Sequence, residues 1–291
     1  MKEDSTPILV LLGIIAIAMF GGVQNSNNAG PVGAVQTQDE LSVDQKIVGT
    51  QNEIDNLKKQ LQIEEDKKNQ SQYKGMVTIS NINRSDTPGQ EFITIRASGN
   101  NRQTILVTGW TLKSISSGNQ VKIPKGTYLF FSGMLNPEDN IELMAGETLH
   151  LITGVSPIGV SFKTNKCSGY LGQFQTFVPY LYNKCPLPRD EDLSSIPKLV
   201  INDACLDYIE SMNSCKVQTE PLPTNWSYEC TNFIQSKLNY PSCVNTYKND
   251  KDFYQNEWRV YLKRSEKIWR NQREVVVLYD EVGKVVDTLK Y

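Results

Sequence analysis

Residues 273–291 read REVVVLYDEVGKVVDTLKY. Val275–Tyr279 is a β-branched run, Asp280–Gly283 carries turn chemistry, and Lys284–Thr288 is a second run of strand-forming residues. The stretch predicts a terminal β-hairpin. Nothing strand-like precedes it between residues 154 and 272, so the hairpin is expected to complete a sheet begun much earlier in the chain.

That earlier sheet is legible upstream. MVTISNI (76–82) alternates, and EFITIRAS (91–98) follows a Pro-Gly turn at 88–89. TILVTGWTLKSI (104–115) is interrupted by Gly109, QVKIP (120–124) leads into KGTYLFF (125–131), and ETLHLI (147–152) follows Gly146. Short strands with frequent Gly, Pro and Asn breaks predict a β-sandwich. Trp110, at a strand switch, is the expected core anchor.

Ordered along the chain, EFITIRA, VTGWTLKS, IPKGTYLFF and VVVLYDEVGKVVDTLKY resemble the lamin-tail domain family. Gly109, Trp110 and Leu112 match its Gly-Trp-x-Leu step. Pro124, Gly126 and Thr127 match its Pro-x-Gly-Thr turn. Gly283, Val285, Val286 and Asp287 match its closing Gly-x-Val-Val-Asp. The resemblance covers about 73–153 and 273–291. It implies a mainly β, immunoglobulin-like sandwich, and an exported or surface-associated protein of the bacterial, membrane-anchored type. The chain departs from the family at 154–272, where the usual connection is much shorter, so this region is read as a helical, disulfide-rich insertion.

All six cysteines, Cys167, Cys185, Cys205, Cys215, Cys230 and Cys243, lie in that insertion. Their wide spacing and the single histidine, His150, favour disulfides in an oxidising compartment over a zinc site. CSGYLGQFQTFVPYLYNKCP (167–186) places Tyr170, Phe174, Phe177, Val178 and Leu181 at helical spacing, with Cys167 and Cys185 positioned to bridge its ends. Tyr170, Tyr180 and Tyr182 read either as core packing or as a carbohydrate-binding aromatic platform. Helices are expected over 190–214 and over 224–243, the second capped by Thr224 or Asn225. An antiparallel pair would join Cys215 to Cys230 and Cys205 to Cys243, although six cysteines allow 15 pairings. A third helix is expected over 251–273. Its Arg259, Lys263, Lys267 and Arg270 form a cationic stripe, suited to an anionic ligand or, alternatively, a solvated face paired with Asp190, Glu191 and Asp192.

The N-terminus agrees with export. Pro7–Val23 is apolar and uncharged, and no A-x-A cleavage site follows it. Residues 1–24 are therefore read as an uncleaved transmembrane anchor with the remainder of the chain outside, a cleaved signal peptide being the competing reading. Residues 25–72 form a linker and helical stalk. Val43, Ile47, Ile54, Leu57 and Leu61 fall on heptad positions from about Asp39 to Lys68, fitting either an oligomerising coiled coil or a single spacing helix.

Thirty basic and 32 acidic side chains leave the charge near neutral, so bulk attraction to nucleic acid is not indicated. G-x-S-x-G, H-E-x-x-H, Walker A and calcium-loop patterns are absent, and His150 sits between strand leucines. No catalytic residue, metal or cofactor is assigned. The expectation is a non-enzymatic binding or scaffolding protein of the cell envelope, whose partner is a protein or a cell-wall polymer, with homo-oligomerisation through the stalk. The alternatives are an envelope hydrolase using a carboxylate pair in the insertion, or a subunit of a surface assembly.

Overall fold

The structure, a computed structural model, describes residues 38–193 and 203–291. The expected anchor at Pro7–Val23 lies outside these residues. Among the described residues no helix is long and apolar enough to cross a membrane. The chain divides into two units, Met1–Leu61 and Gln62–Tyr291. Helix α1 (Gln38–Lys68) covers the expected stalk. Ile47, Ile54, Leu57 and Leu61 are exposed on it in the single chain.

The second unit is β-rich, with three sheets, short helices and three disulfides. Its strands are β1 (Val77–Asn83), β2 (Phe92–Ala97), β3 (Ile105–Leu106), β4 (Thr111–Ser114), β5 (Gln120–Lys122), β6 (Glu142–Leu143), β7 (Thr148–Ile152), β8 (Phe162–Asn165), β9 (Tyr254–Tyr261), β10 (Val275–Tyr279) and β11 (Val285–Lys290). They form a five-stranded sheet in the order β1-β2-β7-β9-β8, a four-stranded sheet β11-β10-β4-β5 and a small β3-β6 pair. Alternating burial in β1 and β4 shows one face turned inward, as period-two side-chain placement requires. The inward faces share one core. Ile93, Ile95, Leu149, Leu151, Trp258 and Val260 come from the larger sheet, and Leu112, Val121, Val276, Leu278 and Val286 from the smaller.

The terminal hairpin occupies its expected place. Asp280 Oδ1 accepts from the amides of Val282 (3.1 Å) and Lys284 (2.8 Å), and Gly283 takes φ +83° to close the turn. β10 pairs antiparallel with β4, Val276 opposite Ser114 and Tyr279 opposite Thr111. The amide of Ile79 in β1 donates to Asp287 Oδ2 of β11 at 2.7 Å, which ties the hairpin to the other sheet. Trp110 is fully buried, and its indole N–H donates to Glu281 Oε2 at 2.9 Å, so the anchor's one polar atom is satisfied. Gly126 passes close to the core. A β-carbon there would stand 2.9 Å from the Trp258 ring.

Two expectations about strands fail. KGTYLFF (125–131) makes only isolated bridges, Gly126 with Asp139 and Thr127 with Phe162. The helix expected over 251–273 does not form. Tyr254–Tyr261 is instead strand β9, parallel to β7 with Leu149 opposite Trp258 and Leu151 opposite Val260, and 262–274 is irregular. The physical reason is a period that can be read two ways. Trp258, Tyr261 and Leu262 fit helical spacing, but Trp258 and Val260 alternating with Glu257 and Arg259 fit period two, and only that reading buries both in the shared core. The inserted region is therefore more than an excursion. It is the crossover that parallel strands need, and it contributes β8 and β9 to the larger sheet.

The irregular return is held by two buried carboxylates. Glu91 accepts from the amides of Ile268 (2.9 Å) and Trp269 (3.0 Å) and from the Thr153 hydroxyl (2.5 Å). Glu274 accepts from the Ser114 hydroxyl (2.8 Å) and the amides of Val275 (2.8 Å) and Arg270 (3.2 Å). These contacts replace a regular ladder for otherwise orphaned backbone donors.

In the insertion, Ser168–Gln173 is a 3-10 turn where a longer helix is expected. Three helices follow: α2 (Asp203–Ser211), α3 (Tyr228–Lys237) and α4 (Tyr240–Tyr247). Part of the expected 190–214 helix lies outside the described residues. Ser227, rather than Thr224 or Asn225, caps α3, accepting from the Cys230 amide at 3.2 Å. Asn239 caps α4 through the Ser242 amide at 3.0 Å, with Pro241 in its first turn.

All six cysteines are paired, but none of the three expected bridges is present. The bonds are Cys167–Cys243, Cys185–Cys215 and Cys205–Cys230. The antiparallel two-helix geometry assumed that Cys230 and Cys243 share one helix. The break at Leu238–Asn239 puts Cys243 on α4, against the 3-10 turn that follows Cys167. Cys215, at φ +60°, turns the chain after α2 back toward Cys185. Cys205–Cys230 then closes a small core of Ile209, Met212, Phe233, Ile234 and Leu238.

Candidate binding surfaces

The four basic residues of the expected stripe are not brought together on a helix. Arg259 is fully buried in β9. Its guanidinium bonds Glu257 Oε1 at 2.6 Å, the Tyr180 carbonyl at 3.1 Å and the Pro179 carbonyl. Lys263 lies in the loop after β9 with φ +56°, and its amide donates to the Gly154 carbonyl at 3.0 Å. Lys267 is paired with Asp86. Arg270 is exposed in the irregular return, its amide on Glu274. Arg259 thus has its carboxylate partner within β9, and Lys267 has its partner in the exposed loop between β1 and β2.

The outer face of β2, β7 and β9 gathers Thr94, His150 and Glu257. Thr94 Oγ1 is 3.1 Å from His150 Nδ1, and His150 Nε2 is 3.4 Å from Glu257 Oε2. Hydroxyl, imidazole and carboxylate in line resemble a nucleophilic relay. A relay also needs free donors for an oxyanion. The backbone here runs in ladders, Thr94 paired with His150 and His150 with Arg259, and Thr94 is only 8% exposed. The contacts engage both ring nitrogens of the half-buried histidine.

Burial alone would raise the Glu257 carboxyl, but the bonds to His150 and Arg259 hold it below the ordinary value of 4.5. Burial likewise opposes ionisation of Glu274, and its bonds to Ser114 and the Arg270 and Val275 amides outweigh it. A carboxyl depressed in the folded state contributes stability that is present above its unfolded value and lost as the pH falls through its folded value. The urea midpoint of the chain should therefore be flat above about pH 5 and fall below about pH 4.5. Glu274→Gln should flatten that acid limb, and an unchanged limb in the variant would contradict this assignment.

Among the described residues, one concavity lies on the insertion side. Residues 130–138, 157–160, the 3-10 turn and the start of α4 enclose an open groove of about 970 Å³. Phe130, Tyr170 and Tyr240 form its buried part, and the Tyr240 hydroxyl donates to the Phe130 carbonyl at 3.0 Å. Burial pushes the Tyr170 and Tyr240 phenols up to about 12, so both remain neutral donors. Asn136 braces the 131–136 loop, accepting from the Phe131 amide at 2.7 Å and donating to its carbonyl at 3.0 Å. Met134, Leu135 and Phe174 stand exposed on the rim, Leu135 at 97%. The Cys167–Cys243 bond lies in the same apolar cluster as the groove wall.

The tyrosines separate. Tyr170 is core, whereas Tyr180 and Tyr182 are exposed on either side of buried Leu181. No family model matches this chain. The curated proteins also contain no match to it.

The groove escaped the sequence reading because its walls come from segments over a hundred residues apart, one of which, 125–131, reads as a strand. The only local signal was the unbroken apolar pair Phe130-Phe131 followed by Ser132-Gly133.

Proposed function

We propose that this chain is a non-catalytic binding or scaffolding protein of the cell envelope, displayed outside the membrane on the Pro7–Val23 anchor. In this reading the β-rich unit is an immunoglobulin-like, lamin-tail-like sandwich, and its crossover insertion is the part specialised for recognition. The groove carries the reading. It is lined mainly by apolar side chains, its polar lining combines the carboxamides of Asn136, Gln175 and Asn239 with Glu138 and Lys263, and a disulfide staples its wall. An exposed apolar rim of this kind marks an interaction surface more often than a chance patch. The pairing of all six cysteines supports an oxidising location. The exposed heptad positions of α1 support self-association through the stalk.

One observation favours the hydrolase alternative. Burial lifts the Glu191 carboxyl above its ordinary value, with Tyr247 hydrogen-bonded to it and Asp190 adding to the rise. A raised carboxyl beside a second one is what a general acid requires. Neither residue lines the groove, which favours the binding reading.

The test is site-specific photocrosslinking in the native cell. A benzophenone side chain at Leu135 should form adducts with an envelope component, and one at Val282, also exposed, should not. Phe174→Asp should suppress the Leu135 adducts. Equal labelling from both positions would sink the proposal.

A further inference from the structure

The geometry points to a second binding surface, a cleft for an uncharged glycan chain built on Tyr182 and Tyr254, with a further hollow bordered by Tyr180. It goes beyond the groove reading and uses none of the groove's residues.

Segment 180–184 is exposed yet held from beneath. Leu181 is 2% exposed and packs in a cluster with Phe92, Phe162, Phe177 and Tyr261. The buried Arg259 guanidinium binds the carbonyls of Pro179 and Tyr180. The backbone is thus pinned just before the leucine, and after it the Ser214 hydroxyl donates to the Asn183 carbonyl at 3.2 Å; the flanking tyrosines are left 62% and 61% exposed. Exposed aromatic rings on a braced backbone lose little conformational entropy on binding.

Each ring borders its own hollow. Tyr182 shares a shallow cleft of about 570 Å³ with Tyr254, Gln255 and Asn256. Tyr254 is fixed edge-on by Tyr128 (6.2 Å) and Phe253 (5.1 Å). Tyr180 borders a hollow of about 250 Å³ with Asn183 and Asn213. Both hollows therefore combine an aromatic surface with carboxamides. Ring faces accept the apolar C–H face of a pyranose, and carboxamides both donate to and accept from hydroxyls.

Charge in the larger cleft favours an uncharged ligand, whereas the Tyr180 hollow carries Lys216. The larger cleft holds Lys184 and Lys251 against Asp252 and Glu257, which sum to zero. Three of these already have partners. Lys166 bonds Asp252 at 2.7 Å, Arg259 bonds Glu257, and Lys184 Nζ sits 5.3 Å from the Tyr182 ring centroid. A polyanion would meet two carboxylates here, so cationic attraction does not dominate the site.

The full-length chain should be titrated calorimetrically with short cello-, chito-, malto- and manno-oligosaccharides, and with a heparin fragment as the polyanionic probe. At least one uncharged series should bind. Tyr182→Ala should weaken it by about tenfold or more, while Tyr182→Phe, which keeps the ring, stays within about threefold. Tyr182 is exposed, so its variants should keep the parent unfolding midpoint. Leu135→Asp in the groove should leave glycan affinity unchanged, which separates this surface from the first. Absence of binding to all four series, equal affinity in Tyr182→Ala, or preference for heparin would each overturn the inference.

Discussion

Lys163→Met lowers the stability of the chain by about 3–5 kcal/mol, the expected cost of leaving a buried charge without its partner. Lys163 Nζ lies 2.5 Å from Glu147 Oε1, with the side chains 3% and 1% exposed. The ammonium also sits 5.4 Å from the Trp258 ring and 5.8 Å from the Tyr128 ring. Removing it strips Glu147 of its counter-charge while Glu147 Oε2 still accepts the Met144 amide at 3.2 Å. The double replacement Lys163→Met with Glu147→Gln should recover most of the loss, because desolvation of both ions disappears with their attraction. The glutamine can keep the Met144 contact. Guanidinium unfolding at neutral pH measures all three variants. A single-variant loss below about 1 kcal/mol, or losses that simply add, would show that the pair is solvated and not the buried contact described.

Removing the Cys167–Cys243 bond should produce the second large effect. It spans 76 residues, against 30 and 25 for the other two. In the chain-entropy treatment it removes about 4.5 kcal/mol from the unfolded state, and the others about 3.5–3.7 kcal/mol. It also joins the 3-10 turn to α4 beside the groove. Cys167→Ala with Cys243→Ala should therefore destabilise the unit by about 4 kcal/mol, the most of the three double variants. It should also abolish the Leu135 crosslink before the sheets unfold, because β1, β2, β4 and the terminal hairpin pair without it. Non-reducing peptide mapping of the parent checks the connectivity itself. A map joining Cys205 to Cys243 would contradict the fold of the insertion.

The sheet-forming half of the molecule was legible because its signals are local and redundant. Gly109 at φ +86° separates β3 from β4, and the turn at Asp280–Gly283 specifies its own hairpin. Trp110 is buried where its strand switch predicts. The basic residues were legible as residues but not as a surface. Arg259 looks like part of a solvated stripe only if 251–273 is helical. As a strand residue opposite His150, it becomes a buried clamp on Pro179 and Tyr180, residues 80 and 79 positions away. The cysteine pairing failed for a related reason. Helix count, not cysteine spacing, decides which sulfurs approach, and the break at Asn239 is a cap whose effect appears only once α4 packs on the 3-10 turn.

By itself, the sequence determined the strands with alternating burial, the turns that demand positive φ, the hairpin at the end of the chain and the oxidised state of the thiols. The first three are set by chemistry within a few residues, and the last by the even number and wide spacing of the cysteines. Only tertiary structure decided that 254–261 is a parallel strand, which cysteine meets which, and that distant loops enclose a groove. Those features depend on contacts between segments far apart in the chain, where local propensity is indifferent and burial of apolar surface makes the choice.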